Sequence, residues 1–185
     1  MRNRGAGDTE LAREAAAGDQ EAYGVLVERH GEMARRVAFA VLKDDHDAED
    51  AAQDGLIAAW RALDRYDPDR PFRPWLMQVV VNAARDLARR RRVRQTEVVS
   101  PMASAPNPGP DTDTERALLR QRLREALGAL PERQRLVVTL FDAEGFSHGE
   151  IATLVDAPEG TVRSDLFHAR RALRESLGSL RKELQ

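Results

Sequence analysis

Cysteine is missing altogether from the 185 residues. That excludes disulfides and any zinc or iron–sulfur centre held by thiolates, and it suits a reducing cytoplasm. Aromatic residues are scarce, at 5% of the chain, which limits any single large core. No apolar run approaches the roughly 18 residues of a membrane span. The opening Met-Arg-Asn-Arg-Gly lacks the apolar stretch of a signal peptide. A cytoplasmic protein without membrane insertion is therefore expected. Neither sign of charge dominates: 29 basic against 31 acidic residues leave a net charge of −2. The whole chain therefore does not read as a DNA binder, although a balanced total can hide local patches of one sign. There is no phosphate-binding glycine loop. The four histidines, His30, His46, His148 and His168, have no metal-ligand spacing. A nucleic-acid enzyme is thus unsupported, and no cofactor, metal or catalytic residue is expected. An interaction-only adaptor would leave the basic faces described below unexplained.

Hydrophobic residues at 42% allow real cores, and charged residues at 32% demand a well-solvated surface. The clearest boundary is residues 95–114, which hold Pro101, Pro106, Pro108 and Pro110, with three acids and no Lys or Arg. Such a stretch reads as a linker. It gives an expected organisation of 1–94, 95–114 and 115–185. Both flanking parts are rich in Ala, Leu, Arg and Glu and lack strand-like alternation, so the expected fold is all-α with two small helical domains. Helices are predicted near 8–17, 19–43, 47–64 and 72–93, then near 115–128, 132–144, 147–154 and 159–178.

Three stretches carry information. On the helix predicted at 47–64, Ala48, Ala52, Leu56, Ala59 and Leu63 share one face, with Trp60 on its edge. Asp47, Asp50, Gln53, Asp54 and Arg61 lie opposite, with Ile57 among them. This polar side is either an ordinary solvated face or a docking patch with Ile57 as its apolar centre. The carboxylates do not follow a calcium loop, which needs Gly at its sixth position and Glu at its twelfth.

The second stretch is residues 64–94. A loop with Pro68, Pro71 and Pro74 precedes a helix ending in Arg89-Arg90-Arg91-Arg92-Val93-Arg94. Leu76, Val80, Ala83, Leu87 and Ala88 face one way; Asn82, Arg85, Asp86, Arg89 and Arg92 face the other. Six arginines between 82 and 94 exceed what a helix dipole calls for. With Asn82 among them they suit phosphate contact and base-edge hydrogen bonding. Tyr66, Phe72 and Trp75 are either stacking surfaces for unpaired bases or core residues, the latter favoured for Phe72 and Trp75.

The third stretch is residues 145–174. Ser147 and Glu150 have capping-box spacing, and Pro158 suits a helix start. Ile151, Ala152, Leu154 and Val155 form the apolar side of the first helix. The next helix buries Val162, Leu166, Ala169 and Leu173 and presents Thr161, Arg163, Ser164, Phe167, His168 and Arg171. A tight turn between two such helices describes either a helix-turn-helix or a structural helical hairpin.

In this order the pieces resemble the extracytoplasmic-function group of bacterial sigma factors. The matching pieces are Asp47-Ala-Glu-Asp-Ala-Ala-Gln-Asp with Trp60, Phe72-Arg-Pro-Trp-Leu, and Asn82 and Asp86 before the arginine run. In the second part they are Leu130-Pro-Glu-Arg-Gln-Arg, Glu150-Ile-Ala, and Pro158-Glu-Gly-Thr-Val-Arg-Ser before Ala169-Arg-Arg-Ala-Leu. The resemblance covers about 19–93 and 115–178. It implies sigma domain 2, a linker and sigma domain 4, with core RNA polymerase, promoter DNA and a cognate anti-sigma factor as partners. Asp47, Asp50, Gln53, Asp54 and Ile57 would dock on the clamp of the polymerase largest subunit. The 64–74 loop with Arg73, and the face of Asn82, Arg85, Asp86 and Arg89, would bind the melted −10 element. Thr161, Arg163, Ser164, Phe167, His168 and Arg171 would read the −35 element as duplex. No further sensory domain is expected after residue 178. One departure stands out: relatives usually carry a basic residue where this chain has Asp165. Asp165 either pairs with a neighbouring Arg, accepts from a cytosine amino group, or faces solvent. The alternative to a sigma factor is a stand-alone helix-turn-helix regulator, which would leave the acidic helix and the loop-plus-arginine helix without a role.

Overall fold

The computed structural model describes residues 5–97 and 114–178. Every regular element among them is helical, as the all-α expectation requires. The chain divides into two compact units, Met1–Val99 and Ser100–Gln185. Residues 95–97, assigned to the linker by composition, continue a helix; 98–113, the rest of the linker apart from the helical Thr114, lie outside the described residues.

The first unit contains α1 (Asp8–Ala16), α2 (Gln20–Leu42), α3 (Asp45–Arg61), a 3₁₀ turn (Leu63–Arg65) and α4 (Phe72–Glu97). Asp19 caps α2 by accepting from the Glu21 and Ala22 N–H groups at 2.9 and 3.1 Å. Asp44 caps α3 by accepting from the Asp47 N–H at 2.9 Å. Both satisfy donors that a helix start leaves open. Between them Lys43 turns the chain with φ of 61°. Helices α2, α3 and α4 pack on one another, with α1 against α2. The core is Leu26, Val37, Ala38, Leu76, Met77, Val80 and Val81, met by Ala48, Ala51, Ala52 and Ala59 of α3. Small residues bring α3 close to α4. At Gly55 a Cβ would lie 2.9 Å from the Val80 Cα, so here the two backbones touch.

His30 of α2 is buried, and its Nε2 lies 2.8 Å from the Asp8 carboxylate of α1. Burial pushes the imidazole below its ordinary value, although Asp8 pulls it back and Arg73 and Arg29 push with the burial. The unfolded chain therefore takes up a proton near pH 6.5 that the folded chain resists, and acid favours unfolding. Stability of the first unit is expected to fall as pH drops below about 6.5. Replacing His30 with Gln should flatten that slope in thermal melts recorded from pH 7.5 to 5; an unchanged slope would place the proton uptake elsewhere.

The second unit contains α5 (Thr114–Ala129), α6 (Glu132–Val138), a π-helical turn (Thr139–Ala143), α7 (His148–Val155) and α8 (Glu159–Gly178). The single helix expected at 132–144 thus ends in a widened turn. The Phe146 N–H returns to the Leu140 carbonyl at 2.9 Å, and Gly145 supplies the φ of 71° this reversal needs. Arg135 is buried and donates through Nη1 to the Leu130 carbonyl at 2.8 Å, tying the α5–α6 connection. The Ser147–Glu150 capping box forms on α7. Asp156, at φ 52°, closes that helix and gives the tight turn into α8. Ile151, Leu154, Val155, Val162, Leu166 and Ala169 form the buried seam, while Ala152 and Leu173 are only half-buried.

Candidate nucleic-acid interface

Asp50, Gln53 and Asp54 stand exposed on α3, and Ile57 among them is 48% exposed. The Gln53 amide donates to Glu49 at 3.0 Å. Ile57 borders an apolar groove of about 440 Å³ with Tyr23, Val27, Leu56 and Trp60. Leu56, expected in the buried stripe, is half-buried because it lines this groove. The Tyr23 ring packs 4.8 Å from Trp60, and its hydroxyl donates to the Leu56 carbonyl. Burial pushes that hydroxyl up to about 12. The groove was not legible from α3 alone, because half of its wall comes from α2.

Asp47 is a correction. The wheel placed it with the exposed acids, but it is 3% exposed and ion-paired with Arg91. Arg91, from the last turns of α4, reaches it in the first turn of α3. Burial raises the Asp47 carboxyl above its ordinary value, and Arg91 draws it back down. Arg91 is therefore engaged by the protein itself, and Asp47 is no part of an exposed docking patch.

On α4, Asn82 is exposed and accepts from the Gln78 amide at 3.4 Å. Arg85 and Asp86 are half-buried, and Arg89 is exposed and pairs with Asp86 at 3.2 Å. These four form one polar face. Arg73 does not join them. Its position is half a helical turn from Asn82, and its Nη2 lies 3.7 Å from the Met33 sulfur of α2. Inward, α4 buries Leu76, Met77, Val80, Val81 and Ala84, while Ala83, Leu87 and Ala88, expected inside, are half-buried. The last two turns of α4 therefore run past the core.

The aromatics of the 64–74 loop are largely consumed by packing. Phe72 is 2% exposed and Tyr66 is buried. Their rings lie 5.5 Å apart, and Trp75 is 5.0 Å from Tyr66 and 5.6 Å from Phe72. Tyr66 closes the loop by donating to the Arg70 carbonyl at 2.6 Å. Stacking of bases on Tyr66 and Phe72 is thereby excluded in this conformation; Trp75 keeps a half-buried edge.

On α8, Arg163, Ser164, Phe167, His168 and Arg171 are exposed and Thr161 is half-buried beside them. Arg163 pairs with Glu159 at 2.7 Å and Arg171 with Glu175 at 2.9 Å, both within the helix. Phe167 is 64% exposed, and its ring lies 5.6 Å from that of His168, edge to face. Asp165 takes the first of its three options: it is buried and pairs with Arg133 of α6 at 2.5 Å. Arg170 pairs with Asp142 and lies 5.2 Å from the Phe141 ring centre. Three surface cations were missed: Arg170 and Arg174 on α8 and Arg133 of α6 beside it. Arg170 stands in the Ala169-Arg-Arg run and Arg133 in the Leu130-Pro-Glu-Arg-Gln-Arg run already singled out, but neither was given a role; the place of Arg133 beside α8 shows only through its pairing with Asp165.

Among the described residues no group of three or more His, Cys, Asp or Glu is placed to hold a metal ion. No helix among them is long and apolar enough to cross a membrane.

Residues 26–94 match the sigma-70 region 2 family, and residues 120–173 match sigma-70 region 4. RNA polymerase sigma factor CnrH of Cupriavidus metallidurans is 37% identical over 176 residues, 90% of this chain and 92% of that protein. A solved structure of CnrH in complex with the cytosolic domain of CnrY aligns with a TM-score of 0.68 at 34% identity, covering 93% of this chain and 97% of that one. The ECF RNA polymerase sigma-E factor of Escherichia coli K12 is 34% identical over 178 residues, 90% and 92% of the two chains. The sigma factor RpoE, in complex with the anti-sigma factor NepR from Bartonella quintana, aligns with a TM-score of 0.67 at 25% identity, covering 82% and 94%. With both family regions in order, and with relatives matched over nearly their full length, this chain belongs to the extracytoplasmic-function group of sigma-70 RNA polymerase sigma factors.

Proposed function

We propose that this chain binds core RNA polymerase and directs initiation at promoters by reading the −35 element as duplex and the −10 element as melted strand. The observation that carries the reading is a division of surfaces. An exposed Ile57 framed by Asp50, Gln53 and Asp54 stands on α3. The Asn82–Arg89 face stands on the neighbouring α4, and a basic helix-turn-helix face stands in the other unit. The first unit takes the clamp of the largest subunit and the −10 strand; the second takes the −35 duplex. Residues 98–113 join them. Arg73 belongs to the −10 side through its place beside the 64–74 loop, at a distance from the Asn82 face.

Two readers are needed because the two substrates differ. A helix in the major groove reads base edges of paired DNA. Melted DNA is captured when an extruded base finds a pocket, against an unstacking cost of a few kcal/mol. The chain makes and breaks no bond; the polymerase supplies the chemistry, and no cofactor is involved. The site of action is the cytoplasm. A cognate anti-sigma factor is the expected regulator, by analogy with the RpoE–NepR pair.

Run-off transcription with bacterial core polymerase over a library of genomic promoter fragments tests the reading. Transcripts that depend on the protein and share two spaced elements are expected. Polymerase-independent binding to duplex DNA, with no transcripts, would favour a stand-alone regulator. The division of labour has its own test. Asn82→Ala should impair opening, read by permanganate footprinting, and leave −35 contact intact. Arg163→Ala should weaken −35 binding by about 1–3 kcal/mol if it makes a bidentate base contact. Failure of both at one step would overturn the assignment.

A further inference from the structure

A helix lying in the major groove reads bases with its outward face and lies beside the phosphate strands with its flanks. On α8 the outward face is Arg163, Ser164, Phe167, His168 and Arg171, and Val162, Leu166 and Ala169 face the core. Asp165 lies between the two, on the flank. Its side chain is 10% exposed, so the carboxylate points away from solvent and meets the Arg133 Nε at 2.5 Å. Arg133 comes from the start of α6, yet its own side chain is 53% exposed. A guanidinium held through Nε keeps in its plane the donors of both terminal nitrogens. That fork matches a phosphate, and its fixed orientation means little freedom is lost on binding.

We propose that Arg133 is a phosphate-binding residue of the −35 interface, positioned on the flank of α8 by Asp165. The inference rests on α8 being the −35 reader. Asp165 reads no base; it is a positioning residue that acts through Arg133. The acid at position 165 does not remove the cation from this flank. It relocates the cation to a side chain borne by α6, where one end is anchored in the protein and the other faces outward.

The test uses the full chain with core polymerase on a promoter fragment recovered by run-off, with binding measured across a series of salt concentrations. Arg133→Ala should weaken binding equally for every single-base variant of the −35 element. It should make the slope of log affinity against log salt shallower by about 1, the signature of one lost phosphate contact. Asp165→Asn should give a smaller loss, again uniform across sequences. The double variant should match Arg133→Ala alone, because Asp165 acts only through that arginine. The double variant also covers the case in which Arg133→Ala folds poorly with a stranded buried carboxylate; its slope then decides. A wild-type slope in the arginine variants would overturn the proposal. So would an altered preference at one base pair in Asp165→Asn, which would make Asp165 a base reader. If the wild-type chain itself gives no polymerase-dependent promoter binding, the sigma reading fails as well; wild-type binding with unchanged variants defeats only the Arg133 assignment.

Discussion

Phe72→Ala should destabilise the first unit by about 3–5 kcal/mol, the usual cost of deleting a buried phenyl ring. Phe72 is 2% exposed and touches three other rings: Tyr66 at 5.5 Å, Trp75 at 5.6 Å and His30 at 5.9 Å. It opens α4, so the void would form where the 64–74 loop turns into the helix. Those neighbours come from three separate stretches of chain, and collapse of one cannot fill the space left by the ring. For a unit of this size a loss of that order lowers the melting temperature by more than 10 °C, at roughly 4–8 °C per kcal/mol. Scanning calorimetry of the full chain measures it. A shift equivalent to less than about 1 kcal/mol would mean the site repacks as an ordinary surface position does. Phe72→Leu provides the control, retaining much of the volume and most of the stability.

Ile57→Glu should sharply weaken recruitment to core polymerase while leaving the fold intact. The side chain is half-exposed, so the new carboxylate reaches water and the monomer loses little. In the docked state the same carboxylate would be desolvated at the centre of the patch, beside Asp50 and Asp54. Removing an apolar anchor from an interface centre commonly costs 2 kcal/mol or more, and burying an unpaired charge adds to it. An affinity loss on the order of a hundredfold is expected. Competition with labelled wild-type protein for core polymerase reads it directly. Ile57→Leu should bind nearly as well as wild type. Near-normal binding by the glutamate variant would return α3 to the status of a solvated face.

Much of this was legible in the sequence, for a physical reason. Helix starts are written in short-range chemistry, so the Ser147–Glu150 capping box is marked in the chain and forms in the fold. The exposed face of α8 was equally readable, because a single helix period decides it. What failed needed a second element. Asp47 is polar and sits on the polar side of an isolated helix; its burial and its pairing with Arg91 of α4 appear only in the packed unit. Arg73 was grouped with Asn82 by function, although helix geometry alone sets them on opposite sides. Tyr66 carries the same composition signal whether it stacks on bases or packs inside, and only its distances to Phe72 and Trp75 decide; the packing favoured for Phe72 holds. The candidate site was thus clear where one helix presents it and obscure where two helices share it.

The contact at Gly55 has a mechanical consequence. Where side chains separate two helices, one can creep along the other by small rotamer adjustments, which is the basis of shear motion between packed segments. Here a Cβ on Gly55 would come within 2.9 Å of the Val80 Cα, so no side-chain layer separates the two backbones at that point. The Asp47–Arg91 pair pins the two helices again farther along. Two such contacts resist both sliding and pivoting. A push on the acidic face of α3 then reaches the Asn82 face of α4 as displacement of a stiff body rather than being absorbed between them. Grip on the enzyme and grip on the melted strand would be set by one orientation, not by two independent adjustments.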